Sequence, residues 1–428
     1  MNAHKFIPII FMLLFETSYA AEEIDYAQYF TPNMLRIDLH HGAIQGKEFF
    51  AIDGISAGGR FAGSKKHLLG GLNLGQYQVR VFDAETNIMI FSRGYSSIFQ
   101  EWFGLPGSKT VNRVFEETFL IPCPRAKIIL TLCGRDGSNQ FQPIFTAPVD
   151  PGDALIFKEH AIGDIETTDI LISGAVEDKL DIAILAEGYT KNEQHKFKKD
   201  AQRVMKAFFE HEPFSRYKSQ FNFRSVCAIS LQSGTDLPEQ GIFKATAMDA
   251  QFYSLRISRY LTVPRVKKIF GYAARVPFDY IIVLVNSARY GGAGFYNLYC
   301  TVAADNANWQ DILQHEFGHL FAGLADEYEA ASLNIYSAEV EPWETNITTN
   351  AVPEQLKWRH LVADSVPLPT PDSLEYDHTI AGMWEGAGYA SAGIWRPAFT
   401  CRMRENSANG FCPVCRETIE RIIRWYSR

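Results

Sequence analysis

The sequence predicts a multidomain chain, with an N-terminal all-β sandwich followed by a larger α/β domain. Three observations carry this. Residues 30–150 hold short alternating or aromatic-rich runs, many separated by Gly, Asn and Asp, which is the pattern of a β-sandwich. Residues 146–178 contain Pro148, Pro151 and several Gly and Asp residues, and read as a connection. Beyond about residue 180, compact apolar runs alternate with helical periodicities, which predicts α/β structure. The 428 residues are too many for one ordinary domain, and 46% hydrophobic with 13% aromatic residues supply packed cores. The predicted boundaries are a leader at 1–20, the β domain at 21–165 and the α/β domain at 166–428.

The chain opens MNAHKFIPIIFMLLFETSYA. Lys5 gives a short basic start, residues 6–15 are apolar but too short to span a bilayer, and Ser18-Tyr19-Ala20 has the form of a small-x-small cleavage site. This predicts a signal peptide and a secreted or periplasmic protein. In the β half the runs LRIDLHH, KEFFAIDGIS, QYQVRVFDA, NIMIFSRGYSS, FEETFLI and AKIILTLCGR read as strands. In the second half, residues 181–185 and 221–231 read as strands and 191–210 as a long helix. DYIIVLVN (279–286) is apolar enough for a central strand, and 415–425 reads as a terminal helix. The stretch after Asp326 reads as loop-rich. No later segment is long and apolar enough to be a membrane span. A net charge of −8 gives no basic footprint, which argues against nucleic acid as a partner.

Seven cysteines occur, at 123, 133, 227, 300, 401, 412 and 415. Cys123 and Cys133 flank one strand-like run and are candidates to pair. Cys412-Pro-Val-Cys415 has a disulfide or buried thiols as its first reading, a structural metal as its second and redox chemistry as a distant third.

The most chemical segment is WQDILQHEFGHLFA at 309–322, which carries apolar residues at helical spacing and no proline. His315 and His319 are four apart, so one helix face presents both rings to a single tetrahedral Zn²⁺. Glu316 sits beside them, where a carboxylate can take a proton from activated water. A catalytic zinc needs a third protein ligand. Gly323 is placed to end the helix in a left-handed turn, and Asp326 follows three residues later. Asp326 is the leading candidate, with Glu327 and a distant acid such as Glu385 as alternatives. This resembles the metzincin pattern, HExxHxxGxxH/D, with the glycine and the acid each one residue later. Metzincins also carry a methionine turn below the metal. Met403 is the candidate here and Met383 the alternative.

The string HEFGHLFAGLADEY (315–328) resembles the signature of peptidase family M64, the IgA-peptidase-like metallopeptidases. So do Glu187-Gly188-Tyr189, MWEGAGY (383–389), Arg396-Pro397 and the terminal CRMREN…FCPVC. The all-β segment resembles the N-terminal domain carried by many members. The resemblance implies a metzincin-like zinc metallopeptidase domain that hydrolyses peptide bonds, without making immunoglobulin A the substrate. Its expected partners are a protein or peptide substrate, with a glycan or protein contact through the β domain. Tyr328 and Tyr389 are candidate donors to an oxyanion. The glycine-rich run YGGAGFYNLYCTVAA (290–304) is a candidate edge strand for extended substrate. Two other readings stay open: an exported adhesin or binding protein that retains the metal site, and a zinc amidohydrolase acting on a non-peptide amide. A serine or cysteine hydrolase is poorly supported: the GxSxG string at Gly54–Gly58 falls within a strand-like run of the β segment rather than at a strand-to-helix turn, and the cysteines lack a recognisable nucleophile context.

Overall fold

The computed structural model describes residues 24–427 except 159–164, 331–335, 338, 373–375 and 377–378, so the expected leader lies outside the described residues. After a short α1 (Tyr26–Tyr29), β1 (Phe30–Ile44) pairs antiparallel with β2 (Lys47–Arg60). Their two-residue turn, Gln45-Gly46, has positive φ at both positions (50° and 74°), the twist that suits a tight hairpin. β3 (Tyr77–Asp83), β4 (Met89–Tyr95), α2 (Ile98–Gly104), β5 (Arg113–Pro124), β6 (Ile128–Arg135), β7 (Phe141–Val149) and β8 (Phe157–Lys158) follow. They form two four-stranded sheets, β5-β1-β2-β8 and β4-β3-β6-β7. Leu35, Ile37 and Leu39 from one sheet share a core with Val79, Val81, Leu130 and Leu132 from the other. That shared apolar layer is what holds two sheets face to face.

Helix α2 departs from the all-β reading. Its aromatic run IFQEWFG has the composition of a strand, but the Ser97 side chain caps the first turn by accepting from Phe99 N. Phe99 and Trp102 are buried on the inner face of the helix. Cys123 and Cys133 stand in different sheets and neither forms a disulfide.

The second core is built on a six-stranded sheet, β13-β14-β12-β10-β11-β9. Its strands are β9 (Thr167–Leu171), β10 (Leu180–Glu187), β11 (Phe221–Val226), β12 (Tyr280–Val285), β13 (Gly292–Phe295) and β14 (Tyr299–Ala303). The inner four run parallel, and β13 and β9 close the two edges antiparallel. Every residue of β10 and β12 is buried, as parallel strands covered on both faces require. α3 (Gln194–Phe208), led in by a Thr190–Glu193 capping box, packs on α5 (Trp309–Ala322). α4 (Val266–Ala273) lies against β5 and β10, and α6 (Pro413–Tyr426) packs on α5. The stretch expected to be loop-rich contains a hairpin, β15 (Trp384–Ala387) and β16 (Ala390–Arg396). The β11 strand ends at Val226, five residues before its expected end.

The two halves meet over a polar and apolar contact. Ser96 N donates to Tyr296 O at 3.0 Å and Asn297 Nδ2 to Gly94 O at 2.8 Å. Lys267 pairs with Asp53, and Leu72, Leu74 and Ile98 pack into the second core.

Candidate active site

The helix α5 buries Ile312, Leu313, Phe317, Leu320 and Phe321, which leaves His315, Glu316 and His319 on its outer face at the floor of a cleft. The cleft encloses about 340 Å³. Gly318 faces the other way. A Cβ there would lie 2.7 Å from Met403 Sδ, so Met403 is seated directly under the helix turn between the histidines. Met383 lies apart from that position, with its main-chain N–H bound to Thr370 Oγ1.

Gly323 ends α5 with φ +57°, and its N–H and that of Leu324 return to the carbonyls of His319 and Gly318. This closure is the left-handed cap that glycine supplies. The reversed chain brings Leu324 O to 2.6 Å from His319 Nδ1. His315 Nδ1 likewise lies 3.0 Å from Arg402 O. With the Nδ1–H groups donated to carbonyls, the neutral form of either ring presents its Nε2 lone pair. The two Nε2 atoms are 3.1 Å apart, and Asp326 Oδ1 lies 3.0 Å from one and 3.3 Å from the other. Asp326 Oδ1 is buried and makes no hydrogen bond.

Three bare acceptors at such separations repel one another without positive charge between them. A tetrahedral zinc with nitrogen and oxygen ligands at about 2.0–2.1 Å has ligand-to-ligand edges of about 3.3 Å. The donor set therefore fits a zinc ion. The charges of the protein alone point the same way. Burial disfavours a charged His319, but Asp326 beside it outweighs this and raises the ring to about 9. Burial likewise works against the Asp326 anion, yet the two rings hold it well below the usual carboxylate range. Asp326 is braced by its neighbours, since Tyr389 OH donates to Oδ2 and Gly388 N to the main-chain O.

A Glu316 carboxylate oxygen lies within 4.8 Å of a ring nitrogen of each histidine. Burial pushes this carboxyl up. Gly292 on β13 makes room for it, since a Cβ there would meet Glu316 Oε1 at 2.9 Å. Of the alternative acids, Glu327 sits in a cysteine cluster, where Asn346 Nδ2 holds its carboxylate at 2.8 Å. Glu385 is exposed on β15 and accepts from Gly393 N. Tyr328 reaches the cleft, with its OH accepting from Arg259 Nη2 at 2.9 Å.

Three cleft residues carry no signal in the local sequence: Arg259, Tyr260 and Glu101. Arg259 and Tyr260 sit in an irregular stretch before α4. Glu101 comes from α2 in the other half, where it accepts from Tyr260 OH. Burial raises its carboxyl to about 7 against that hydrogen bond. No motif links these three, because only the packing of the two halves brings them to one wall.

A family model described as Peptidase M64 N-terminus matches residues 25–146, and one described as IgA Peptidase M64 matches residues 168–379. No curated protein matches the chain. The two matched regions meet across the cleft, with Glu101 in the first and His315, Glu316, His319 and Asp326 in the second. With its N-terminal domain followed by its peptidase domain, the chain belongs to the IgA peptidase M64 family.

Proposed function

We propose that the protein is an exported, zinc-dependent endopeptidase with a metzincin-like active site. The observation that carries this is the convergence of His315 Nε2, His319 Nε2 and Asp326 Oδ1 at 3.0–3.3 Å beside Glu316 in an open cleft. His315, His319 and Asp326 are the proposed zinc ligands, with Glu316 outside the ligand set. A zinc ion held there supplies Lewis-acid polarisation of the scissile carbonyl and lowers the pKa of water. Glu316 takes the proton from the attacking water and delivers it to the leaving amine. Tyr328, oriented by Arg259, offers a donor to the oxygen that gains charge. Tyr389 is engaged with Asp326 and serves as a positioning residue.

Substrate backbone is read by β13, the edge strand of the sheet. Gly292 O accepts from Leu261 N, so its main-chain groups point away from β14. By two-residue alternation those of Gly294 point the same way, into the cleft. An extended peptide laid there gains main-chain hydrogen bonds without sequence demands. The methionine below the helix, Met403, corresponds in this reading to the metzincin methionine turn. Elemental analysis and peptide hydrolysis by wild type and the His315→Ala and His319→Ala variants test the proposal. The expected result is loss of one zinc equivalent and of hydrolysis together in both variants; zinc and activity unchanged in both would reject the site. Export is tested by N-terminal sequencing of the secreted or periplasmic protein, which should begin near Ala21 or Glu22; a retained Met1 would contradict it.

A further inference from the structure

A second cluster of metal-ligating side chains lies behind the cleft. Cys401, Cys412, Cys415 and Glu327 are each fully buried. They come from three separate segments: the loop after β16, the N-terminal end of α6 and the turn that follows α5. Cys401 Sγ and Cys415 Sγ are 3.8 Å apart, Cys415 Sγ is 3.2 Å from Glu327 Oε1, and all four ligand atoms lie within 4.8 Å of one another. Cys412 N donates to Cys401 Sγ at 3.4 Å. The second Glu327 oxygen, Oε2, is buried with no hydrogen-bond partner.

A disulfide does not account for this arrangement. Any one bond among three thiols leaves the third thiol and an unpartnered carboxylate oxygen together in a dry interior, which is costly. A tetrahedral dication accounts for all four donors at once. Zinc with thiolate ligands at about 2.3 Å has sulfur-to-sulfur edges of about 3.8 Å. Three soft sulfur donors favour zinc over magnesium or calcium. Four protein ligands with no exposure describe a closed, structural site rather than a catalytic one.

We propose that Glu327, Cys401, Cys412 and Cys415 bind a second, structural zinc ion that staples the underside of the active cleft. The consequence for the cleft is direct. Glu327 follows Asp326, and its N–H donates to Met403 O at 2.9 Å. The same loop carries Arg402 O, which orients His315. The staple thus fixes three parts of the cleft floor: Asp326, the Arg402 carbonyl and Met403. It stands independently of the peptidase reading, since its ligands are disjoint from the cleft residues.

The test uses the full chain, purified without chelator, and its His315→Ala/His319→Ala double variant. Wild type should carry two zinc equivalents and the double variant one. Exchange of that remaining zinc for Co²⁺ should give the intense near-ultraviolet thiolate-to-cobalt charge-transfer band, and Cys412→Ser/Cys415→Ser should remove one equivalent from wild type. Should the cysteine variant fail to fold, the cobalt spectrum of the double histidine variant still decides. A folded double histidine variant with no metal and no thiolate band, or an intact mass showing an oxidised cysteine pair in this cluster, would overturn the proposal. Failure of the peptidase reading alone would appear differently, as a retained thiolate site in a protein without hydrolytic activity.

Discussion

Glu316→Gln keeps the side chain's volume and removes the proposed proton acceptor. It should retain zinc and lose turnover by a factor on the order of 10² to 10⁴. Asp326→Ala should lose zinc affinity and activity together, because a proposed ligand is gone. Tyr389→Phe separates positioning from ligation: it removes only the hydrogen bond to Asp326 Oδ2. A loss of about 10- to 100-fold in zinc affinity or activity is expected, read by chelator competition; an unchanged affinity and rate would show that the main-chain bond from Gly388 N to Asp326 O suffices to position the residue. At Gly318 two effects oppose. Alanine gains about 1 kcal/mol of helix propensity, but its Cβ would meet Met403 Sδ at 2.7 Å in a packed interior. Overpacking of about 1–3 kcal/mol outweighs that gain. Gly318→Ala should therefore lower the thermal midpoint, and a raised midpoint would mean Met403 has room to move. At this scale much was legible in the chain. One helical turn fixes the spacing of His315, Glu316 and His319, and a terminating glycine announces the return that carries Asp326. Arg259, Tyr260 and Glu101 were not legible, since each reaches the cleft through tertiary packing alone.

At the scale of elements, α2 matters because it carries Glu101 to the cleft wall, and a buried charge network holds its start. His41 is fully buried, with Glu117 Oε1 2.6 Å from Nδ1 and Glu48 Oε1 2.7 Å from Nε2. Its ring is stacked between Phe50 and Phe99, with Tyr77 at its edge, while Tyr95 and Ser97 donate to Glu117. Burial opposes a charge on His41, but Glu117 and Glu48 outweigh it and raise the ring above its usual value of 6.5. A raised histidine adds stability that is fully present below the unfolded value and fades as pH rises through the folded one. Urea midpoints should therefore fall from pH 6 toward alkaline pH more steeply in wild type than in His41→Asn. Parallel curves would remove His41 from the explanation. The helix escaped the sequence reading because seven aromatic-rich residues look like a strand until the Ser97 cap is seen. The β15–β16 hairpin escaped because Gly386, at a register shift within β15, and Gly388, in the tight turn with Tyr389, interrupt its alternation; the two turn residues take positive φ (55° and 71°). The long apolar strands β10 and β12 were legible, as burial on both faces leaves an uninterrupted hydrophobic run.

For the whole molecule, two cores share one cleft. The N-terminal half supplies Ser96, Ser97 and Glu101 to its wall, and the second half supplies the floor. A chain starting at residue 166 should hydrolyse peptides about tenfold or more slowly than the full chain, because the wall that orients substrate is missing. Equal rates would confine the N-terminal half to other roles. The change of texture near residues 146–178 marks the passage between the two cores, with β8 in one sheet and β9 in the other. The contact between the halves was hidden, since Asn297 with Gly94 and Lys267 with Asp53 are distant pairs without a shared motif. The most direct measurement on the molecule is paired: zinc content and peptide hydrolysis of purified full-length wild type and Glu316→Gln. Wild type should hydrolyse peptide and lose that activity when its zinc is chelated, while Glu316→Gln should hold the same zinc and turn over at least about 10²-fold more slowly. Near-native hydrolysis by Glu316→Gln, or by chelated wild type, would contradict the metal-assisted mechanism.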